Sequence, residues 1–321
     1  MHYDIFNGDA DGICALHQLR LAEPRPAAEL VTGVKRDIAL LERIRPLASA
    51  HDTLTVLDIS MDTNKAALVD LLGRGCQVFY ADHHFAGDLP RSPGLTAQID
   101  PNPEVCTSLI VDRLLDGRFR AWAVVAAFGD NLHDAARQAA AALKLDEAQL
   151  ATLRELGELL NYNGYGESVA DLHFPPQELY RSLRPYADPF VSCRESQALA
   201  TLRAGFAADM ASARAQEPVW QEVQGRVYRF PAQAWSRRVA GVFSNEKARE
   251  RPALAHALVV DNGNGTYMVS VRAPLANKRG ADTLCRAFPT GGGRAGAAGI
   301  NALPSDLLEE FMRQFSVIFT G

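Results

Sequence analysis

The sequence has 321 residues, of which 33 are Lys or Arg and 38 are Asp or Glu, so its formal net charge is −5. Its 47% hydrophobic and 22% charged residues are typical of a globular protein and exclude a largely disordered or collagen-like chain. The acidic balance argues against a protein that coats long nucleic acid non-specifically, although a few local arginines could still hold a small anionic ligand. At about 150 residues per domain, this length predicts two domains.

The cysteines and the apolar segments indicate the compartment. The five cysteines are scattered and form no Cys-x-x-Cys pair, which is typical of reduced residues in the cytosol. The first residues lack the basic and apolar regions of a signal peptide. The longest apolar run, residues 121–128, is shorter than the roughly 20 residues that a membrane span needs. We therefore expect a cytoplasmic protein that makes no membrane contact.

Short apolar runs alternate with helically spaced segments through the first 130 residues. The predicted strands are 3–6, 29–34, 54–59 and 76–80, and the predicted helices are 11–21, 37–44 and 64–72. This alternation predicts βαβ units and a mostly parallel sheet, in which functional residues lie at the carboxyl ends of the strands.

The second part of the chain has a different pattern. Residues 104–186 are mainly helical, four prolines within 174–189 mark a boundary region, and a long helix is predicted over about 190–216. Strands are then predicted at 226–230, 257–260 and 267–271, a hairpin turn at the Asn-Gly-Asn-Gly of 262–265, and an amphipathic helix at 307–319. The expected fold class is α/β, with an N-terminal, mostly parallel-sheet domain (1–186), a linker helix (187–218) and a smaller C-terminal α+β domain (219–321).

Acidic residues and histidines follow the predicted apolar segments of the first domain. They are Asp9, Asp11, Asp58, Asp82, His83, His84 and Asp130, the last of which closes the run 121–128, interpreted as a further strand end. Each one alone can be explained as a turn or a helix cap. Together they are a stronger signal, because a parallel sheet brings its strand ends to one edge.

Carboxylates packed at one sheet edge repel one another unless a cation is present. Oxygen ligands with one or two imidazoles suit Mn²⁺ or Mg²⁺. Two such ions about 3.5–4 Å apart can activate water and clamp a phosphoryl oxygen, which predicts in-line hydrolysis at phosphorus.

The order and spacing of these residues across 1–130 resemble the four motifs of the DHH phosphoesterase superfamily, which is named after its Asp-His-His triplet. The resemblance implies two Mn²⁺ ions, with Mg²⁺ as an alternative, and Asp58 bridging them. The implied metal ligands are Asp9, Asp11, Asp58, His83 and Asp130. It further implies that His84 faces the substrate phosphate and that Asp82 orients a histidine.

Two positions depart from the family pattern. Many members carry His where this chain has Ile5, and the RecJ-like exonuclease branch carries Asp where it has Asn7. An amide oxygen is a neutral and weaker ligand than a carboxylate. If Asn7 contributes to the centre, we expect one metal site to be looser than in either group of relatives.

A glycine-rich segment occupies residues 291–299. It could be a flexible linker or a tight helix entry, or its bare backbone N–H groups could approach a phosphate at a helix N-terminus. The pattern Gly-Gly-Gly-x-x-x-Ala-Ala-Gly resembles the signature of the DHHA1 domain, with similarity over about 220–303. This resemblance implies substrate binding by the basic and glycine residues Arg272, Arg279, Gly291, Gly292, Gly293 and Arg294.

The remaining expectations for this domain concern phosphate binding by Arg294 and by the basic residues around it. Arg294 stands where the family usually has His; it can hold a phosphate through two hydrogen bonds, but it cannot donate a proton near neutral pH. The cluster of Arg272, Lys278, Arg279 and Arg294 could also be a solvated face.

The leading hypothesis is a metal-dependent phosphodiesterase that hydrolyses short linear oligonucleotides to mononucleotides. The family resemblance favours dinucleotides such as pGpG or pApA. One alternative is a pAp phosphatase or another hydrolase of small phosphoesters, and another is a catalytically weak nucleotide-binding protein, which Ile5, Asn7 and Arg294 would explain. The sequence is compatible with a homodimer but does not determine the oligomeric state, the base preference or the cleavage polarity.

Overall fold

The computed structural model describes residues 1–320, which form two compact units that divide between Gly205 and Phe206. The strands are β1 (His2–Phe6), β2 (Glu29–Val31), β3 (Thr53–Leu57), β4 (Gln77–Asp82), β5 (Leu95–Ile99), β6 (Trp220–Glu222), β7 (Gly225–Phe230), β8 (Ala255–Asp261), β9 (Thr266–Arg272), β10 (Gly291–Arg294) and β11 (Ala297–Pro304). The helices of the first unit are α1 (Ala10–Ala22), α2 (Leu41–Ile44), α3 (Met61–Gly73), α4 (Thr107–Leu114), α5 (Arg120–Gly129), α6 (His133–Ala140), α7 (Glu147–Gly164), α8 (Pro176–Leu183) and α9 (Pro189–Glu195). They are followed by α10 (Gln197–Arg214), which contains the point of division, and by α11 (Ala234–Glu250), α12 (Ala281–Arg286) and α13 (Leu308–Thr320).

The first unit is built on a five-stranded sheet in the order β2-β1-β3-β4-β5, in which all neighbouring strands are parallel. This confirms the predicted parallel sheet. Its strands are apolar because helices cover them: Ile5, Val56 and Tyr80 are completely buried. The carboxyl ends of β1, β3 and β4 therefore lie side by side at one edge.

Helix α1 begins a few residues after β1, and the side chain of Asp9 caps its N-terminus. The Asp9 carboxylate accepts hydrogen bonds from the backbone N–H groups of Asp11 and Gly12, which is how Asp stabilises a helix start. Gly12 is required there, because a Cβ atom at this position would lie 2.2 Å from the carbonyl oxygen of Asn7. The turn from strand to helix thus holds Asp9 and Asp11 at the sheet edge.

Several sequence predictions differ from the structure. Strand β5 was not predicted, and the helix expected from residue 37 begins only at Leu41. The proline-rich boundary region contains helix α8, since proline is well tolerated in the first turn of a helix. The single helix expected over 190–216 is two helices, because the extended backbone of Ser196 (ψ 115°) separates α9 from α10. The predicted domain limits of 1–186 and 219–321 remain a prediction.

The apolar run 121–128 is a helix, α5, and the interpretation of Asp130 as a strand-end residue was wrong. A short, continuously apolar segment is compatible with a buried strand or with a buried helix, so periodicity alone could not separate them. Seven of these eight residues are at least 97% buried and the eighth is partly buried, which explains the continuous apolar run. Asp130 is the residue that ends α5, with its N–H donated to Ala126.

The second unit contains a six-stranded mixed sheet in the order β10-β11-β9-β8-β7-β6. Only the β7–β8 pair is parallel, and β8 and β9 form the predicted hairpin. Buried side chains of the sheet pack with those of α12 and α13, among them Phe311 and Phe315. Within residues 1–320, no helix is both long and apolar enough to cross a membrane.

Buried His17 predicts a loss of stability in mild acid. The side chain of His17 is 1% exposed, its ring packs edge-on against Trp122, and its Nε2 atom lies 2.8 Å from the carbonyl oxygen of Tyr186. Burial lowers the pKa of His17 from 6.5 to about 4. Below pH 6.5 the unfolded chain therefore binds a proton that the folded chain rejects, so we expect the free energy of unfolding to fall by about 3 kcal/mol between pH 6.5 and 4.

Urea unfolding measured across this pH range checks the expectation. His17→Gln should flatten the pH dependence, whereas its packing defect should shift all values by a constant. His51→Asn, at an exposed histidine, is the control and should keep the wild-type slope. Equal slopes for wild type and His17→Gln would contradict the assignment.

Candidate metal centre

The predicted acidic residues meet at the carboxyl edge of the parallel sheet. Asp9 follows β1, Asp58 follows β3, and Asp82 is the last residue of β4, with His83 directly after it. The end of α5 brings Asp130 to the same place. The Nε2 atom of His83 lies 3.5 Å from Oδ1 of Asp58 and 3.7 Å from Oδ2 of Asp130.

Helix α4 holds Asp11 at the centre. The two carboxylate oxygens of Asp11 accept hydrogen bonds of 2.7 Å from the backbone N–H groups of Thr107 and Ser108, the first residues of α4. These are N–H groups that a helix cannot satisfy internally, and the positive end of the helix dipole favours a carboxylate there. The Thr107 hydroxyl also donates to Oδ1 of Asp58. The sequence reasoning missed Thr107 and Ser108, because only the folded chain brings α4 against α1.

Asp58 is a buried carboxylate surrounded by other negative charges. It is 2% exposed, and burial together with the negative charges of Asp11, Asp9 and Asp130 raises its pKa well above the usual value. Its backbone has a φ of 59°, a conformation that Asp and Asn adopt more readily than other side chains. A cation beside Asp58 would offset the repulsion and keep the carboxylate charged.

The donor atoms fit a divalent cation. Two sets of ligand atoms lie within 4.8 Å of one another: one comes from Asp58, His83 and His84, and the other from Asp11, His83 and Asp130. Carboxylate oxygens with imidazole nitrogen are suitable for Mn²⁺ or Mg²⁺. The buried Oδ2 of Asp82 has no hydrogen-bond partner among the described residues. Both ligand sets contain His83, and each of the other residues belongs to one set.

Asp82 fixes the ring of His84. Oδ1 of Asp82 lies 2.7 Å from Nδ1 of His84, and the Asp82 side chain is completely buried while that of His84 is 43% exposed. The hydrogen bond from Asp82 raises the pKa of His84 above its usual 6.5, although burial acts in the opposite direction. The arrangement fixes a partly exposed ring beside the carboxylates and favours its protonated form, while the role of His84 toward a substrate phosphate stays a prediction.

Lys35 is a further residue of this centre that the sequence reasoning did not place there. It follows β2, and its Nζ atom donates to Oδ2 of Asp9 (2.5 Å), Oδ1 of Asp130 (3.2 Å) and Oδ1 of Asn161 (3.1 Å). Burial would lower the pKa of Lys35, but the surrounding negative charges raise it well above 10.5. Burial likewise opposes ionisation of Asp9, yet Lys35 holds the pKa of Asp9 below its usual value. A signal was present, because β2 was predicted as a strand of the same parallel sheet.

Asn7 lies at the end of β1, next to this lysine. Its side-chain Nδ2 donates to the backbone carbonyl of Lys35 at 3.2 Å. Its Oδ1 atom is buried and has no hydrogen-bond partner among the described residues. Asn7 therefore contacts the loop that carries Lys35.

The glycine segment of the second unit is neither a linker nor the start of a helix, so the alternatives that needed a linker, a helix entry or a helix N-terminus there were wrong. Residues 291–294 are strand β10, which pairs antiparallel with β11. Gly291 must be glycine, because a Cβ atom there would lie 1.7 Å from the carbonyl oxygen of Cys285. Gly293 has a φ of 134°, which also favours glycine. The backbone is thus shaped by tight packing against the end of α12, while Gly292 has open space around it.

Arg272 and Arg294 lie in one row across three strands, because Ala297 of β11 pairs with both of them. Nε of Arg272 donates to Oδ1 of Asn245 at 2.8 Å, a partner on α11 that the sequence reasoning missed. Arg279 and Arg294 are exposed. Arg272 on β9 and Arg294 at the end of the glycine strand β10 therefore lie in register on either side of β11, and Arg279 lies in the loop before α12.

Comparisons with known proteins identify the fold. No protein-family model matches the sequence, and no curated protein matches it. Solved structures, however, show that the chain has the same fold as the exonuclease RecJ, which agrees with the fold that the resemblance implied.

Three solved structures illustrate the match. An exonuclease RecJ bound to manganese is similar with a TM-score of 0.63 and 17% identity, over 99% of this chain and 90% of that one. RecJ from Thermus thermophilus in complex with Mn²⁺ gives 0.61 and 18%, over 99% of this chain and 52% of that one. The pGpG-specific phosphodiesterase PggH from Vibrio cholerae gives 0.56 and 10%, over 99% of this chain and 100% of that one. At these identities, the similarity establishes the fold.

Neutralising Asp58 should stabilise the metal-free protein. In EDTA, we expect Asp58→Asn to raise the melting temperature, because it removes a buried charge that its neighbours repel, and Asn tolerates the positive φ. The same variant should lose most of the rise in melting temperature that Mn²⁺ produces in the wild type. Differential scanning calorimetry with and without Mn²⁺ measures both effects.

Asp112→Asn is the matched control for a buried carboxylate with a partner. Oδ2 of Asp112 accepts a 3.0 Å hydrogen bond from Arg120, so its neutralisation should lower the melting temperature and keep the response to Mn²⁺. A lower melting temperature for Asp58→Asn in EDTA, together with a wild-type response to Mn²⁺, would argue against a cation site at Asp58.

Proposed function

We propose that this protein is a divalent-metal-dependent phosphodiesterase that hydrolyses short linear oligonucleotides to mononucleotides. The observation that carries the proposal is the convergence of Asp11, Asp58, His83 and Asp130 at the carboxyl edge of a parallel sheet. A bound cation would offset the repulsion that raises the pKa of Asp58, and the carboxylate and imidazole atoms suit Mn²⁺, the ion we propose, or Mg²⁺. The RecJ-like fold agrees with this chemistry.

In hydrolysis at phosphorus, one group of residues would hold the cation and another would contact the phosphoryl group. Asp11, Asp58, His83 and Asp130 would hold the cation, which, when bound, activates water and neutralises phosphoryl oxygens. His84, held by Asp82, would donate a hydrogen bond to a phosphoryl oxygen as negative charge develops on it. Its pKa is raised by Asp82, so more of it carries the proton at neutral pH than in a free histidine.

The second unit supports a short, nucleotide-like substrate. Arg272 and Arg294 form a local basic row in a chain of net charge −5, and Gly292 leaves the backbone of β10 accessible. Arginine binds phosphate through two parallel hydrogen bonds and stacks on bases. PggH, which matches along its whole length, is a pGpG-specific phosphodiesterase. We therefore propose dinucleotides such as pGpG or pApA as substrates.

A substrate panel tests the proposal. Purified protein is incubated with Mn²⁺ and pGpG, pApA, a five-nucleotide RNA, pAp or pyrophosphate, and the products are separated by chromatography. We expect the dinucleotides to yield mononucleotides, EDTA to stop the reaction, and His83→Ala to lower the rate by more than tenfold because a ligand is lost. A rate for His83→Ala within tenfold of the wild type would contradict the role of His83.

The same panel separates the alternatives. Phosphate release from pAp alone would identify a phosphomonoesterase instead. Nucleotide binding without turnover of any substrate would identify a nucleotide-binding protein, and would contradict the proposed activity.

Replacing Arg272 should impair nucleotide binding more than the chemical step. We expect Arg272→Ala to raise KM for a dinucleotide about tenfold or more, because one or two charge-assisted hydrogen bonds to the substrate would be lost. KM for bis-p-nitrophenyl phosphate, which has no nucleoside, should change less. Arg313→Ala, at an exposed arginine paired with Glu310, is the control. Equal increases for both substrates would show that Arg272 does not recognise the nucleotide.

A further inference from the structure

Lys35 brings a fixed positive charge into the candidate metal centre. An ammonium group has three N–H donors, and the Nζ atom of Lys35 has three acceptors within 3.2 Å, on Asp9, Asp130 and Asn161. All three donors are therefore used by the protein itself. Lys35 is held as a structural cation, with no donor left for a substrate phosphate.

The carboxylate of Asp9 is occupied by these contacts. Its Oδ1 accepts from the N–H groups of Asp11 and Gly12, at 3.0 and 3.1 Å, and its Oδ2 accepts from Lys35 at 2.5 Å. Among the described residues, Asp9 belongs to neither set of clustered ligand atoms, and both sets share His83. A divalent ion bound at Oδ2 of Asp9 would lie close to the ammonium, and the two positive charges would repel strongly in this buried setting.

Asn7 agrees with this charge balance. A second divalent ion beside Asp9 would be favoured by a further carboxylate, but the side chain that stands next to the Lys35 loop is a neutral amide. Lys35 already contributes one positive charge. A carboxylate at position 7 would add a negative charge that no ion balances, and the neutral amide of Asn7 avoids this. The loop carrying Lys35 is itself tied down by this amide.

We propose that the Lys35 ammonium takes the place of one of the two ions expected from the sequence, so that the chain binds a single divalent ion. Asp11, Asp58, His83 and Asp130 hold that ion. The inference rests on the proposed function only in assuming that this centre binds a cation. It replaces the expectation of two ions with Asp58 bridging them.

The two carboxylate oxygens of Asp130 face the Lys35 ammonium and the site of the proposed ion. Its Oδ1 accepts from Lys35, while its Oδ2 lies 3.7 Å from Nε2 of His83, on the side of the shared ligand atoms. Lys35 thus orients Asp130 toward the ion and keeps Asp9 from binding another. It is a positioning residue, and its removal should change the number of ions and not only the rate.

Metal counting tests the proposal without reference to activity. Wild type and Lys35→Met, both stripped with EDTA, are equilibrated with Mn²⁺ by dialysis, and bound manganese is measured by mass spectrometry against protein concentration. We expect about one equivalent for wild type and about two for Lys35→Met, whose Asp9 is released. Arg36→Met, at the exposed neighbouring residue, is the control and should bind one equivalent.

Electron paramagnetic resonance of the Mn²⁺ forms gives a second readout that needs no variant. An isolated Mn²⁺ ion in the saturated wild type would support the proposal, and a spin-coupled pair would overturn it. One equivalent in both wild type and a folded Lys35→Met would also overturn it, because Lys35 would then not determine the number of ions. One bound ion without hydrolysis of any substrate would support this inference and overturn the proposed function.

Discussion

Repulsion among buried carboxylates is the constraint on which the arrangement of the first unit depends. Asp9, Asp11, Asp58 and Asp82 are each at most 2% exposed, and Asp130 adds a fifth negative charge. Such a cluster is costly unless each charge has a partner. The surrounding elements supply them: the start of α1 for Asp9, the start of α4 for Asp11, and Lys35 for both Asp9 and Asp130. Asp58 accepts a hydrogen bond from the Thr107 hydroxyl, yet burial and its neighbours still raise its pKa, and a bound cation would offset that repulsion.

This constraint explains why helix termini surround the centre. The first N–H groups of a helix have no internal partner and carry the positive end of its dipole, so a carboxylate satisfies both at once. The residue before helix α4 makes no side-chain capping hydrogen bond. Instead, the carboxylate of Asp11 on α1 accepts hydrogen bonds from the first N–H groups of α4. The same two hydrogen bonds therefore link α1 to α4 and fix the position of Asp11, a proposed metal ligand.

The departures from the family pattern form a coherent group once Lys35 is included. Ile5 is buried in the sheet, Asn7 contacts the Lys35 loop, and Lys35 binds Asp9. Taken singly, Ile5 and Asn7 suggest a weakened two-ion site. Taken with Lys35, Asn7 agrees with the proposed centre, in which the chain itself would supply the second positive charge. The proposed phosphodiesterase chemistry then needs only the charge of one ion, assisted by His84 on its outer side.

The sequence by itself determined the parallel sheet, the hairpin of the second unit and the acidic residues at the strand ends, since these follow from local periodicity and from the chain order of strands and helices. It did not determine that residues 121–128 are helical or that 291–294 form a strand, because a short apolar or glycine-rich segment fits more than one local conformation. It also did not show that Lys35, Thr107 and Ser108 join Asp9, Asp11 and Asp58. Lys35 lies 26 residues from Asp9 and 95 from Asp130 in the chain, and Thr107 lies 96 from Asp11. Such pairings arise from the packing of distant elements around buried charges, and only the tertiary structure decides them.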